Sequence, residues 1–425
     1  PRAKPDRDVG RTCLPEMEAA EFFWQMLSAV LHLHGQRVVH RDIKLEHFIQ
    51  AEGGVLKLVD FGHAWPLQPF SSPEAAEAVI EVMVVQELTI PGGAGTSRYI
   101  APEIQDESEV AAHLADRADM WALGVCLHAM LTGRLLPNCG TLTKVASINS
   151  AISQVDEGVL SASAHDLLEQ LLQLKPENRP TSAAVARHPW LARAAHADLH
   201  PVMDLLSHSR FITDLGVIAD AKPIRRLFLL VVAHELEDAQ TYPYQALFRA
   251  MEAQCRGCLT EQAVTAAVQR LANDLEPQSQ MLMKVMTAVL CVMGAVDADG
   301  SGNIGWTEVL AAILLTQEET LTSKQESAFG MSCFRAFDKL SMGGQDISAA
   351  SLRKCFKVPR AQKTTCLEDP EDMLKELGEQ RLSRKGFLRV VGAEMQPELE
   401  LSDPLPPPKD SRDPREAEDH WDFSA

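Results

Sequence analysis

The chain has 425 residues, 46% of them apolar and 23% charged, enough for two or three domains with separate buried cores. A net charge of −19 and a pI near 5.2 argue against a phosphate backbone as partner, so no nucleic acid is expected. Nine cysteines scattered along the chain suit a reducing compartment better than a disulfide framework, and the cytoplasm is the expected location.

The first ordered element is read at 16–35, "EMEAAEFFWQMLSAVLHLHG". Its Phe22, Phe23, Met26, Leu27, Val30 and Leu31 share one helical face, and Gly35 ends the helix. A short apolar strand, "RVVH", runs into His-Arg-Asp at 40–42. Three residues recur by chance, but an alternating strand, "VLKLVDFGHA", then delivers Asp60-Phe61-Gly62. After it stand "GTSRYIAPE" (95–103), "DMWALGV" (119–125) and "PENRPT" (176–181). Five motifs in fixed order resemble the C-terminal lobe of a eukaryotic protein kinase. No glycine-rich loop or strand lysine is found in residues 1–15, so the sequence is read as a fragment whose small lobe lies upstream, with half an ATP site.

That resemblance implies roles for individual residues. Asp42 would orient the substrate hydroxyl, with Lys44 and Thr96 steadying the transferring phosphoryl group. Asp60 would hold Mg²⁺ on the ATP phosphates, since a hard cation takes carboxylate oxygen. Glu103 and Arg179 would form a buried ion pair, Asp119 would cap the catalytic loop, and Arg41 would await a phosphate. His47 departs from the pattern: it stands where the family has a metal-binding asparagine, and imidazole nitrogen suits magnesium poorly. Glu46, in an acidic chain, implies protein substrates with basic residues upstream of the target Ser or Thr. Residues 66–93 read as an insertion in the activation segment, rich in turn formers; Ser71 and Thr89 there are read as ordinary loop hydroxyls.

From 194 to 245 no catalytic signal appears. Lys222, Arg225 and Arg226 precede "LFLLVVA" at 227–233, the longest apolar run and far short of the ~20 residues a membrane helix needs; no membrane span is expected. Such a basic-then-apolar helix suits a partner groove or a core helix equally.

"DADGSGNIGWTE", 297–308, then has the make-up of a twelve-residue calcium loop. Asp297, Asp299 and Ser301 offer side-chain oxygens and Asn303 its backbone carbonyl. Gly302 permits the sharp turn and Glu308 closes the shell. Apolar positions at 282–293 and 309–314 give the flanking helices. Three further units read as decayed copies: one with Gln254, Arg256 and Ala263 at ligand positions, one around Asp338, Gly343 and Ile347, and one keeping only Leu382 and Phe387. Cys255 and Cys258 form a C-x-x-C without a second ligand pair, so zinc is not expected there. Proline and charge dominate 396–425, where disorder is expected.

Kinase lobe, junction and four EF-hand units in that order resemble the calcium-dependent protein kinases of plants and protists. The expected fold is mainly α: a kinase C-terminal lobe at 1–193, a junction at 194–245 and an EF-hand domain at 246–395. The family implies ATP, Mg²⁺ and Ca²⁺ as cofactors, and a junction helix near 222–233 as intramolecular blocking element, released when calcium opens the EF-hand module. The expected function is a calcium-regulated serine/threonine protein kinase. The alternative, favoured by His47, is a catalytically impaired pseudokinase serving as calcium sensor or docking protein.

Overall fold

A computed structural model describes residues 13–51, 54–67, 98–105, 114–136, 160–208, 219–236, 238–274, 276–297, 301–315, 323–355 and 369–392. The chain divides into two compact units. One is Pro1–Val202 with Ala246–Leu259; the other is Met203–Gln245 with Thr260–Ala425. Residues 246–259, read from sequence as the start of the EF-hand domain, thus pack with the first unit.

The first unit is built on two helices, α1 (Glu16–Gly35) and α2 (Asp116–Thr132). In α1 the residues Phe23, Met26, Leu27, Val30 and Leu31 are buried, the face its spacing predicts. Helix α2 is buried nearly all round, from Asp119 through His128, which marks it as the centre of the lobe. A third helix, α3 (Ala162–Leu171), lies against α2 so closely that a methyl group on Gly124 would meet Leu171 and Leu172 at 2.9 Å. Only glycine allows that approach.

Two short ladders position the chemistry. Strands β1 (Val38–Val39) and β4 (Trp65–Pro66) pair antiparallel, as do β2 (Phe48–Gln50) and β3 (Leu56–Leu58). The register of the second ladder, Phe48 opposite Leu58, sets the residue before β2 beside those after β3, and Val59 donates to the His47 carbonyl at 2.9 Å. The end of the His-Arg-Asp loop and the Asp-Phe-Gly turn are therefore neighbours by hairpin geometry.

The segment Ala246–Leu259 is held to this unit by charge and by close backbone approach. Arg249 grips Asp198 bidentately, at 2.9 and 2.6 Å, and Trp24 Nε1 donates to the same carboxylate. The His32 Nδ1–H donates to Glu252 at 2.6 Å. Gly257, at φ 90°, lies so near the Leu31 carbonyl and Gly35 that a side chain there would overlap them.

The second unit is helical. Its core is α5 (Pro223–Glu235), in which Ile224 and Leu227 through Ala233 are buried. Phe228 meets Phe387, and Phe387 meets Phe337, with centroids 5.1 and 5.8 Å apart. The basic start of α5 caps other helices: Arg226 donates to the Ala295 carbonyl at 2.6 Å and Lys222 to that of Glu376 at 3.1 Å. Cations are favoured at those negative dipole ends. Helices Trp306–Leu315 and Ser323–Ser341 pack against α5, and short loop segments of this unit pair with one another. Thr260 bridges Asn303, and β5 (Asp346–Ser348) pairs with β6 (Arg381–Ser383). Among the described residues, Pro277–Val296 is the one helix long and apolar enough to cross a membrane; Leu282, Val285, Met286 and Val289 on it are buried within this unit.

Candidate functional site

Four of the sequence-predicted residues converge in the first unit. Lys44 Nζ donates to Asp42 Oδ2 at 2.7 Å. The His47 Nδ1–H donates to the Asp42 backbone carbonyl at 2.9 Å, and its Nε2 lies 3.2 Å from Asp60 Oδ2. Asp42, His47 and Asp60 bring one ligand atom each within 4.8 Å of one another. His47 is nearly buried, whereas the Asp60 side chain is 55% exposed and open to a solute. Thr96 lies outside the described residues, as do Ser71 and Thr89.

Buried groups hold this constellation in place. Asp119 accepts from the backbone N–H of His40 and Arg41 at 2.9 and 2.8 Å and from His34 Nε2 at 3.0 Å. The His40 ring donates to the Val59 carbonyl at 3.2 Å and stacks edge-on against Phe61 at 5.1 Å, tying the two motifs together. Burial pushes the His40 pKa below its ordinary value, so this ring stays neutral. Arg41 and Asp60 both sit in left-handed backbone, φ 68° and 65°, a conformation that costs energy outside glycine and clusters at functional turns. Arg179 and Glu103 form a bidentate pair at 2.6 Å, and the guanidinium stacks 5.0 Å above Trp121. Glu46 is exposed on the same loop. Tyr99 is held well above the ordinary phenol range, first by burial and then by the nearby Cys126 thiol and Glu46 carboxylate.

Sequence reading passed over His34, which also reaches Ser182 Oγ at 3.1 Å and so props Asp119 from behind. Its only signal was a histidine on the buried side of α1, which spacing alone does not separate from packing.

In the second unit, residues 297 and 301–308 place Asp297, Ser301, Asn303 and Glu308 on one loop; Asp299 lies outside the described residues. Gly302 N–H donates to Asp297 Oδ2 at 2.9 Å with Gly302 at φ 75°, and Gly305 N–H donates to Glu308 Oε2 at 2.8 Å. Glu308 is buried, at 8% exposure. A buried carboxylate in an all-oxygen donor set fits a hard, oxygen-seeking cation such as Ca²⁺. At the other site Asp60 fits Mg²⁺ and His47 does not.

The protein kinase domain family model matches residues 6–191. Over 347 residues, 80% of this chain, the sequence is 26% identical to "Calcium-dependent protein kinase 34" of Arabidopsis thaliana, covering 58% of that protein. "Calcium-dependent protein kinase 2" of Zea mays is 26% identical over 349 residues, 80% of this chain and 59% of that one. Residues 6–191 are thus a protein kinase domain, and the chain as a whole is similar to calcium-dependent protein kinases. A mouse protein, "Testis-specific serine/threonine-protein kinase 5", is 32% identical over 189 residues, 43% of this chain and 44% of its own length. The chain spans a little under three-fifths of the length of the calcium-dependent protein kinases it matches.

Proposed function

We propose that this chain is a calcium-regulated serine/threonine protein kinase that moves the γ-phosphoryl group of ATP to protein hydroxyls. The observation that carries the reading is Asp42, paired with Lys44 at 2.7 Å, opening on the same cleft as Asp60. Asp42 receives and orients the substrate hydroxyl, and Lys44 places a positive charge where the transferring group accumulates negative charge. Asp60 is the residue that would hold Mg²⁺, which neutralises nucleotide phosphates when bound. Thr96 belongs to this assignment by its motif alone. The exposed Glu46 would select basic residues upstream of the target.

The helix-loop-helix units between 246 and 395 are read as four EF-hands, of which the loop at 297–308 takes calcium. Asp297, Asp299, Ser301, Asn303 and Glu308 are its proposed ligands. Helix α5 is the proposed switch element. Its apolar length is buried among the helices of the second unit, and Arg226 holds the carbonyl of Ala295, two residues before the first ligand. A loop that tightens on calcium would act on α5 through that contact.

His47 supports a second reading, a catalytically impaired pseudokinase acting as calcium sensor or docking protein. The full chain incubated with ATP, magnesium and a basic Ser/Thr peptide separates the two. Phosphate incorporation that rises with calcium and vanishes in Asp42→Asn supports the kinase. Calcium binding with no transfer supports the sensor.

A further inference from the structure

The disagreement between His47 and magnesium has a consequence for which metal the cleft takes. We infer that Asp42, His47 and Asp60 form a site for a borderline divalent transition ion of the Zn²⁺ class. The inference builds on the proposed reading of the cleft, but its test is metal binding, which stands or falls without phosphoryl transfer.

Three features point to a metal. First, the Nδ1–H of His47 is spent on the Asp42 carbonyl at 2.9 Å. That bond occupies Nδ1 and leaves Nε2 as the ring nitrogen that faces Asp60, the outer-shell arrangement metal-binding histidines use. Second, Nε2 and Asp60 Oδ2 stand 3.2 Å apart. Two ligand atoms on a tetrahedral ion with bonds of about 2.0–2.1 Å are separated by about 3.3 Å, so the pair is spaced as the edge of such a site. Third, the Asp42 carboxylate is the third donor within 4.8 Å. Lys44 pairs with the Asp42 carboxylate, while the Asp60 carboxylate stands open to a cation.

Chemistry chooses among cations. Magnesium demands oxygen and keeps its waters, whereas imidazole nitrogen favours zinc, cobalt, nickel and copper. The half-exposed Asp60 provides the entry side and the nearly buried His47 the rigid wall. An ion held there would occupy the carboxylate that magnesium needs, so the two metals compete for one residue.

Cobalt is the probe, because tetrahedral Co²⁺ carries a visible ligand-field band and reports the same site. The full chain, saturated with Ca²⁺ to fill the loop at 297–308, is titrated with Co²⁺ in excess Mg²⁺. The inference expects one Co²⁺ site with that band, displaced by Zn²⁺ and resistant to Mg²⁺. His47→Asn should bind Co²⁺ at least about tenfold more weakly and lose the resistance. Unfolding temperatures of both proteins are measured alongside; if His47→Asn does not fold, Asp60→Asn decides the same question. An unchanged band in the folded variant, or its removal from the wild type by equimolar Mg²⁺, overturns the inference. The second result would leave His47 as a cationic partner of Asp60.

Discussion

Residue-scale chemistry in the lobe is dominated by buried charge in pairs. Arg179 is 2% exposed and finds its counter-charge in Glu103. Removing one partner of such a pair leaves a desolvated charge behind, which costs more than the pair ever contributes. Glu103→Gln should lower the stability of the first unit by about 3–5 kcal/mol, read from the denaturant midpoint. Asp42→Asn should abolish phosphate transfer and lower the midpoint less than Glu103→Gln does, because its partner Lys44 is 19% exposed and can reach water whereas Arg179 cannot. Cysteine reactivity follows exposure: burial pushes the Cys333 thiol up to about 12, whereas Cys13 and Cys291 are exposed. Alkylation at pH 8 followed by mass spectrometry should therefore label Cys13 and Cys291 long before Cys333.

Between elements, the contact of residues 246–259 with α1 offers the sharpest tests. Gly257 has φ 90° and no room for a methyl group against Leu31 and Gly35. Gly257→Ala should loosen the segment, exposing its amides to hydrogen exchange while α2 remains protected. The His32–Glu252 bond adds a pH dependence. The hydrogen bond to Glu252 raises the His32 pKa above its ordinary value, whereas burial raises that of Glu252. A histidine raised in the folded state adds stability that is fully present below its unfolded value of about 6.5 and fades as pH climbs through the folded one. The stability gap between wild type and His32→Gln should accordingly be largest below pH 6.5 and shrink on the alkaline side. A gap that widens with pH would refute this assignment.

Across the whole molecule, the proposed single calcium loop at 297–308 would have a thermodynamic signature. Loops pair through Thr260–Asn303 and β5–β6, but a partner loop without ligands cannot supply a second binding event. Calcium titration should be shallow, with a Hill coefficient of about one. Glu308→Gln should weaken binding and remove the calcium response together. A coefficient near two would show a second functional loop. For the same reason the wild type should unfold later with calcium than without, by an amount set by the ratio of ion concentration to Kd.

Local composition and spacing made much of this legible. Helix α1 with its buried face and the glycine turn at 302 rest on short-range rules, so a single sequence carries them, whereas the Glu103–Arg179 pair, 76 positions apart, was implied by the resemblance to protein kinases. Other features depend on residues far apart in the chain. The packing of 246–259 on the catalytic unit needs Asp198 to meet Arg249 and His32 to meet Glu252, partners 51 and 220 positions apart. Residues 222–233 suit a partner groove and a core equally on sequence alone, and the apolar length of this helix is buried in the second unit by elements distant in the chain. His47 shows the division most plainly. Its identity departs from the metal-binding asparagine that the kinase resemblance implies, but only the hairpin register places its Nε2 against Asp60. Sequence determines which atoms are available, and folding determines which of them share a cation, because distance between donors is a property of tertiary structure alone.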